Sequence, residues 1–193
     1  MKNAVIYVHG KGANAEEANY YKQFFDDNFE IIGFDYKSLN PWDAKIEFIN
    51  YFNTIISKYN KIYLIANSIG AYFSLISLAD IPIEKAMLIS PIVDMESIIL
   101  NMMKCENITE DKLMSEKEIE TSFGESLSWE YLSYVRNNTI HWDIPTNILF
   151  ADNDNMTSVD TMTNFANKIN ANPFIKVLIC FCLFDFSFIT ISS

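Results

Sequence analysis

The sequence predicts an α/β fold, with a mainly parallel central sheet and helices on both faces. Short apolar segments alternate along the chain with longer stretches of helical spacing, which is the pattern of strands joined by crossover helices. These short segments are nearly free of charge, as expected for strands that are buried on both faces. The chain has 193 residues, half of them apolar, so it can bury one sizeable core and a single domain over residues 1–193 is expected.

Five segments rich in Ile, Val, Leu, Tyr and Phe are predicted as strands: residues 4–8, 30–34, 61–66, 85–89 and 146–151. A final strand is expected within 174–179. Four segments are predicted as helices: residues 15–27, 41–59, 69–79 and 159–169. Asn40 followed by Pro41 is a typical helix start, because asparagine caps free N–H groups and proline suits the first turn. Five apolar side chains of this helix are expected to pack on the sheet: Ile46, Ile49, Phe52, Ile55 and Ile56.

Two segments depart from the alternating pattern. Residues 95–140 are more charged and contain several helix-like pieces, which indicates a helical insertion, interpreted either as a lid or as ordinary surface helices. Residues 177–193 form an atypical apolar tail with a single charge. This tail is too short to span a bilayer, which takes about 20 apolar residues, so no membrane association is expected.

Composition narrows the function classes. The net charge of −11 argues against a nucleic-acid partner, since phosphates need clustered Lys and Arg. The apolar start is too short for a signal peptide and is interpreted as a strand. Three cysteines, Cys105, Cys180 and Cys182, give no disulfide framework, so a cytoplasmic location is expected.

A serine stands between a predicted strand and a predicted helix, in Ala66-Asn-Ser68-Ile-Gly70. A strand, a tight turn and a helix present a nucleophilic hydroxyl clear of a sheet, and the serine backbone is then strained. The residues two before and two after the serine must be small, and here they are Ala66 and Gly70. The alternative interpretation is that Ser68 is only the cap of the following helix.

Three segments resemble, in the same order, the α/β-hydrolase superfamily and specifically its small esterase-like members. They are Val8-His9-Gly10-Lys11-Gly12, the Ser68 pentapeptide and residues 145–158, and the resemblance extends over about residues 3–170. The pentapeptide departs from the usual Gly-x-Ser-x-Gly in its first residue, Ala66. The resemblance implies a serine hydrolase that cleaves an ester or thioester of a small apolar acyl substrate, without cofactor or metal.

The resemblance also implies a role for the loop after the first strand. Backbone N–H groups of Lys11 and Ile69 are expected to form an oxyanion hole, and Gly10 and Gly12 let the backbone approach the substrate. For His9 the more ordinary interpretation is a buried ring that holds this loop by hydrogen bonds, and the alternative is a direct catalytic role.

The acid implied by the resemblance is Asp154, with Asp152 as the alternative. Both could instead be turn residues before the last predicted helix, with Thr157 or Ser158 as its cap. The base should be a histidine after the acid, yet the only histidines are His9 and His141. His141 precedes the strand that leads to Asp154, so it should lie at the opposite edge of the sheet from Ser68. His141 and Trp142 are expected to pack where that strand begins.

The missing base leaves three interpretations open. One is that the C-terminal segment after about residue 176 has been altered, for example by a change of reading frame. Another is a catalytically inactive protein of the same fold that binds a ligand or partner. The third is a structural protein whose apolar tail drives self-association.

Overall fold

The computed structural model describes residues 1–151 and 157–176. The described residues divide into two compact units, one made of residues 1–93, 141–151 and 157–176 and the other of residues 94–140. The predictions about the apolar tail and about Asp152 and Asp154 fall outside the described residues.

The described residues contain eight strands, which are β1 (Asn3–Val8), β2 (Phe29–Phe34), β3 (Ile62–Asn67), β4 (Ile83–Ile89), β5 (Glu118–Glu120), β6 (Ser126–Ser128), β7 (Thr146–Ala151) and β8 (Asn172–Lys176). Six of them form a parallel sheet in the order β2-β1-β3-β4-β7-β8 within the described part of the chain. The five strands predicted from apolar runs are all present, with ends that differ by at most two residues. The mainly parallel sheet is therefore confirmed.

The helices of the described residues are α1 (Ala18–Tyr21), α2 (Pro41–Ile56), α3 (Ser68–Ser77), α4 (Met95–Cys105), α5 (Glu110–Glu116), α6 (Trp129–Asn137) and α7 (Val159–Lys168). The prediction of one helix over residues 15–27 is wrong, because α1 is only a short helix between two 3₁₀ turns. Phe24 and Phe25 pack against the core, and Phe25 is extended. Asp26 accepts a hydrogen bond from the N–H of Asn28, which starts a turn instead of a further helical turn.

Helices cover both faces of the sheet, as predicted. On one face the ring of Tyr7 in β1 contacts Tyr21 of α1, with 5.1 Å between ring centroids. On the other face Phe34 of β2 packs on Phe48 of α2, at 4.9 Å, and Phe48 in turn contacts Phe73 of α3. The alternation follows from the strand period of two, which sends neighbouring side chains to opposite faces.

Helix α2 begins as predicted, and of the five side chains expected to pack on the sheet Phe52 and Ile55 are buried. Asn40 Oδ1 accepts a hydrogen bond from the N–H of Asp43 at 2.8 Å, and Pro41 is the first helical residue. Ile46 is 63% exposed, so its predicted packing on the sheet is wrong. The buried positions are Pro41, Ala44, Phe48, Phe52 and Ile55. The helix carries apolar residues on more than one side, and the large Phe side chains occupy the sheet contact because they bury more area.

Residues 94–140 are only partly helical. Besides α4, α5 and α6 they contain an antiparallel hairpin of β5 and β6, which the sequence did not predict. Arg136 of α6 links this unit together, since its guanidinium contacts Glu96 of α4 at 2.6 Å and Glu110 of α5 at 2.7 and 2.8 Å. The lid interpretation stays a prediction. In neither described part of the chain is there a helix whose length and apolar character would allow it to cross a bilayer.

Candidate functional site

The strand order points to one edge of the sheet. Because all strands of this sheet are parallel, the loops that follow β1, β2, β3 and β4 lie at the same edge. β2, the next strand in sequence, pairs with one side of β1, and β3 pairs with the other side of β1. The crevice at such a reversal of strand order is where open α/β sheets bind ligands. The segments that flank it are the His9–Gly10 loop and Ser68.

Ser68 has a strained backbone. It directly follows β3, begins α3 and has a φ of 51°, a left-handed value that side chains other than glycine rarely adopt. This conformation costs about 1–2 kcal/mol for a residue with a Cβ. The helix cap is Asn67. The alternative interpretation of Ser68 as an ordinary cap is therefore wrong.

Gly70 lets α3 begin directly against the end of β1. A Cβ at Gly70 would lie 2.2 Å from the carbonyl oxygen of His9 and 2.9 Å from Cγ1 of Val8. Both separations are far below van der Waals contact, so no side chain fits. Ala66, the other small residue of the pentapeptide, is fully buried in β3. The two small positions are thus explained by packing around the turn.

The loop after β1 lies beside Ser68. A Cβ at Gly10 would be 3.2 Å from Cβ of Ser68 and 3.6 Å from the carbonyl oxygen of Asn67. The loop then turns, because the N–H of Ala13 donates to the carbonyl oxygen of Gly10 at 3.3 Å. Gly12 has a φ of 75° at the third position of this turn, which glycine adopts without strain. The backbone at Gly10 is therefore close to Ser68.

The buried side chain of His9 contacts the backbone of this loop. Its side chain is 9% exposed, and Nδ1 is 2.9 Å from the carbonyl oxygen of Gly10. Since a carbonyl only accepts, Nδ1 carries the proton of this hydrogen bond. The ring stacks on Tyr36 with 4.4 Å between centroids, and the Tyr36 hydroxyl donates to the His9 carbonyl oxygen at 3.0 Å. These bonds support the interpretation of His9 as a loop-holding residue. Nε2 is buried and has no hydrogen-bond partner in the described part of the chain.

The N-terminus of α3 has no side-chain cap. Five other helices begin with a capping side chain, in chain order Asn40, Asp94, Thr109, Ser128 and Ser158. Asn67, at the start of α3, makes no such bond. Its side chain instead bonds the hydroxyl of Tyr7, which donates to Glu17 at 2.5 Å. Burial, together with the bond to Glu17, raises the pKa of Tyr7 far above its usual range.

This missing cap affects the chemistry available at the turn. The first N–H groups of an α-helix have no partner within the helix, and they attract anions. In α3 these groups include the N–H of Ile69, next to Ser68. An oxygen that gains negative charge beside Ser68 can accept hydrogen bonds there.

The opposite edge of the sheet holds the second histidine. His141 precedes β7 and is exposed, so the expectation that it packs at the strand entry is wrong. Trp142 does pack there: it is 3% exposed, and its Nε1 donates to Oγ1 of Thr146 at 2.7 Å.

Ser158, one of the two predicted cap residues, caps α7 by accepting a hydrogen bond from the N–H of Thr161 at 3.1 Å. β7 lies two strands from β3, at a separation of about 10 Å.

Sequence reasoning missed Tyr36 and Glu47. Tyr36 follows β2 by two residues, so it lies at the same edge as Ser68. The carboxylate of Glu47 accepts hydrogen bonds from the N–H of Lys37 through Oε1 at 2.9 Å and from the N–H of Ser38 through Oε2 at 2.9 Å. Its Oε2 also accepts from the Ser38 hydroxyl. An aromatic residue two positions after a predicted strand was the available signal for Tyr36. No sequence signal marked Glu47, which is one of many acidic residues on helix surfaces.

Residues 94–140 contain a separate concavity of about 340 Å³. It is lined by Glu116, Lys117, Glu118, Ser128, Trp129 and Glu130. None of the residues predicted for catalysis belongs to this lining. Over residues 1–151 and 157–176, no cluster of three or more His, Cys, Asp or Glu side chains is arranged to hold a metal ion.

Comparison with solved structures identifies the fold. The sequence matches no protein-family model, and no curated protein is significantly similar to it. Est1E from Butyrivibrio proteoclasticus is similar at 14% identity and a TM-score of 0.64, with 92% of this chain and 77% of that chain covered. Alpha/beta hydrolase domain-containing protein 10 from mouse is similar at 11% identity and a TM-score of 0.70, covering 91% of this chain and 80% of the other.

A third similar structure is the thioesterase domain from the curacin biosynthetic pathway, at 10% identity and a TM-score of 0.52, with 92% of this chain and 85% of that chain covered. At such low identities a structural likeness shows the fold alone. The parallel sheet, the helices on both faces and these likenesses together show that the chain has the α/β-hydrolase fold.

Proposed function

We propose that this protein is a serine hydrolase that attacks a carboxylic ester or thioester with the hydroxyl of Ser68. The observation that carries the proposal is the strained Ser68, with a φ of 51°, which lies beside Gly10 of the loop after β1 and is the first residue of α3, a helix without a side-chain cap. Esterases and a thioesterase domain among the similar structures favour the same reaction class.

The proposed chemistry begins with attack of the Ser68 oxygen on the substrate carbonyl carbon. The carbonyl oxygen becomes an anion and accepts hydrogen bonds from the N–H groups of Lys11 and Ile69. Each such donor contributes about 3–4 kcal/mol of transition-state stabilisation in enzymes where one has been removed. The alcohol or thiol then leaves, and water hydrolyses the acyl-enzyme.

Proton transfer is the incomplete step. Ser68 must lose a proton during the attack, and the leaving group must gain one. Asp154 is proposed to orient the base, yet no histidine follows it in the sequence. Loss of the base elsewhere lowers kcat by about 10⁶-fold, although the oxyanion hole and substrate binding retain some rate. We therefore expect slow acylation of Ser68 that free imidazole accelerates by replacing the base.

A fluorophosphonate probe with peptide mass spectrometry tests this proposal. The probe should label Ser68, the label should be absent in Ser68→Ala, and added imidazole should increase the labelling rate. Ser90→Ala is the matched control, because Ser90 also follows a strand of this edge and has a φ of 40°. Labelling in this control should match that of the unmodified chain.

A folded chain that stays unlabelled, with and without imidazole, overturns the proposal. That result supports the alternative of an inactive protein of this fold that binds a ligand or partner. A label that remains in Ser68→Ala and disappears in Ser90→Ala also overturns it. The small acyl substrate, the cytoplasmic location and self-association through residues 177–193 stay predictions.

A further inference from the structure

We propose that Tyr36 and Glu47 are positioning residues that hold the loop after β1 in the conformation that an oxyanion hole needs. This inference rests on the proposed function and concerns two residues outside the catalytic set. It follows from the partners of the two carbonyl groups at the start of that loop.

Both carbonyl oxygens are fixed by side chains. The His9 oxygen accepts the Tyr36 hydroxyl at 3.0 Å and lies against Gly70, whose Cβ, if present, would be 2.2 Å away. The Gly10 oxygen accepts from the His9 ring at 2.9 Å and from the N–H of Ala13 at 3.3 Å. The first peptide unit is thereby held between Tyr36 and α3, and the second between the His9 ring and its own turn.

Fixing these carbonyls also fixes the N–H groups. In a planar trans peptide the C=O of one residue and the N–H of the next point in opposite directions. The Gly10 carbonyl points to the His9 ring, so the N–H of Lys11 points away from it. The proposed oxyanion donor therefore takes its direction from the ring of His9, which in turn stacks on Tyr36.

Tyr36 is well suited to this support. Its ring packs between His9, at 4.4 Å, and the rings of Phe48 and Phe73, at 5.2 and 5.9 Å. Burial, with a smaller effect of the Glu47 charge, raises the pKa of Tyr36 to about 12. The hydroxyl keeps its proton at neutral pH and remains a hydrogen-bond donor to the His9 carbonyl.

Glu47 anchors the segment that carries Tyr36. Its carboxylate accepts from the N–H of Lys37 at 2.9 and 3.1 Å and from the N–H of Ser38 at 2.9 Å. The hydroxyl of Ser38 is a further donor. Glu47 thus ties the two residues after Tyr36 to α2, which is itself packed on the sheet through Phe48 and Phe52.

The loop depends on such support because its tip is exposed to solvent. Lys11 and Gly12 are exposed, and Gly12 can adopt many backbone conformations. A catalytic donor must be held within about 0.5 Å of its working position. The connection from Glu47 through Tyr36 and His9 to Gly10 supplies that rigidity.

The test compares Tyr36→Phe with Tyr51→Phe. Tyr51 belongs to the same aromatic cluster, where it stacks on Phe34 at 3.9 Å, and its hydroxyl has no part in the loop. We expect Tyr36→Phe to lower the maximal rate of Ser68 labelling by the fluorophosphonate about 2- to 10-fold, the effect of one neutral hydrogen bond. The probe concentration for half-maximal rate should not change, and Tyr51→Phe should label like the unmodified chain.

Glu47→Gln gives a second route, should Tyr36→Phe fold poorly. It should lower the same maximal rate in a chain that is folded by circular dichroism, because an amide accepts these N–H groups less strongly than a carboxylate. The inference is overturned if folded Tyr36→Phe or folded Glu47→Gln labels at the unmodified rate. Absence of labelling in the unmodified chain is a different result, because it removes the proposed function itself and this inference with it.

Discussion

Replacing Gly70 with alanine should destabilise the protein, although alanine is the better helix former. Gly70 is the third residue of α3, and in a solvent-exposed helix the change would stabilise by up to about 1 kcal/mol. Here the new methyl group would lie 2.2 Å from the His9 carbonyl oxygen and 2.9 Å from Cγ1 of Val8. Contact between carbon and oxygen needs roughly 1 Å more, so α3 and the end of β1 must separate.

The steric effect should exceed the propensity effect. Forced overpacking of a well-packed site costs about 1–3 kcal/mol, and occasionally more. In a chain of this length each kcal/mol shifts the melting temperature by about 2–4 °C. We therefore expect Gly70→Ala to lower the free energy of unfolding and to lower the melting temperature by roughly 2–12 °C.

Urea unfolding followed by circular dichroism measures this change. Gly33→Ala is the matched control, because its methyl group would lie 2.0 Å from the carbonyl oxygen of Ala15, away from Ser68. Both variants should lose stability, but only Gly70→Ala should also slow the labelling of Ser68 at a temperature where both are folded. A Gly70→Ala variant as stable as the unmodified chain, or more stable, would refute the reasoning.

Three further changes have definite expected outcomes. Ser68→Gly should raise the free energy of unfolding by about 1 kcal/mol, because glycine adopts the φ of 51° without strain, and should abolish probe labelling; an unchanged urea midpoint would contradict the strain. The hydrogen bond from Arg136 lowers the pKa of Glu110, so this pair stabilises the fold above pH 4.5 and the stabilisation is lost as the pH falls. NMR titration of the Arg136→Gln variant should show a higher pKa of Glu110, and an unchanged pKa would count against the pair. Trp142→Phe should destabilise by about 1–3 kcal/mol in urea unfolding, because it removes the hydrogen bond to buried Thr146 and leaves a void.

The sequence by itself determined the strands of the parallel sheet and the position of Ser68. A strand buried on both faces is an uninterrupted apolar run, so its location depends on composition that is local in the chain. The cap Asn40 and the helix start at Pro41 are equally local, since the capping hydrogen bond joins Asn40 to Asp43, three residues later. The closeness of the His9–Gly10 loop to Ser68 was also foreseeable, but only through the resemblance to a known family.

The tertiary structure decided which residues support that loop and which helix face is buried. Ile46 and Phe48 are both apolar, and only the packing of the Phe34, Phe48 and Phe73 rings shows that Phe48 contacts the sheet. The prediction of one helix over residues 15–27 was wrong because the contacts of the aromatic residues in this segment with β2 and the core outweigh their helix propensity.

Tyr36 and Glu47 act on residues that are distant in the chain, for Tyr36 bonds a carbonyl group 27 positions earlier. A hydrogen bond between residues so far apart forms only when β1 and β2 are paired, and sequence spacing carries no record of that pairing. Local composition therefore located the serine, whereas the pairing of strands selected the side chains that hold the backbone beside it.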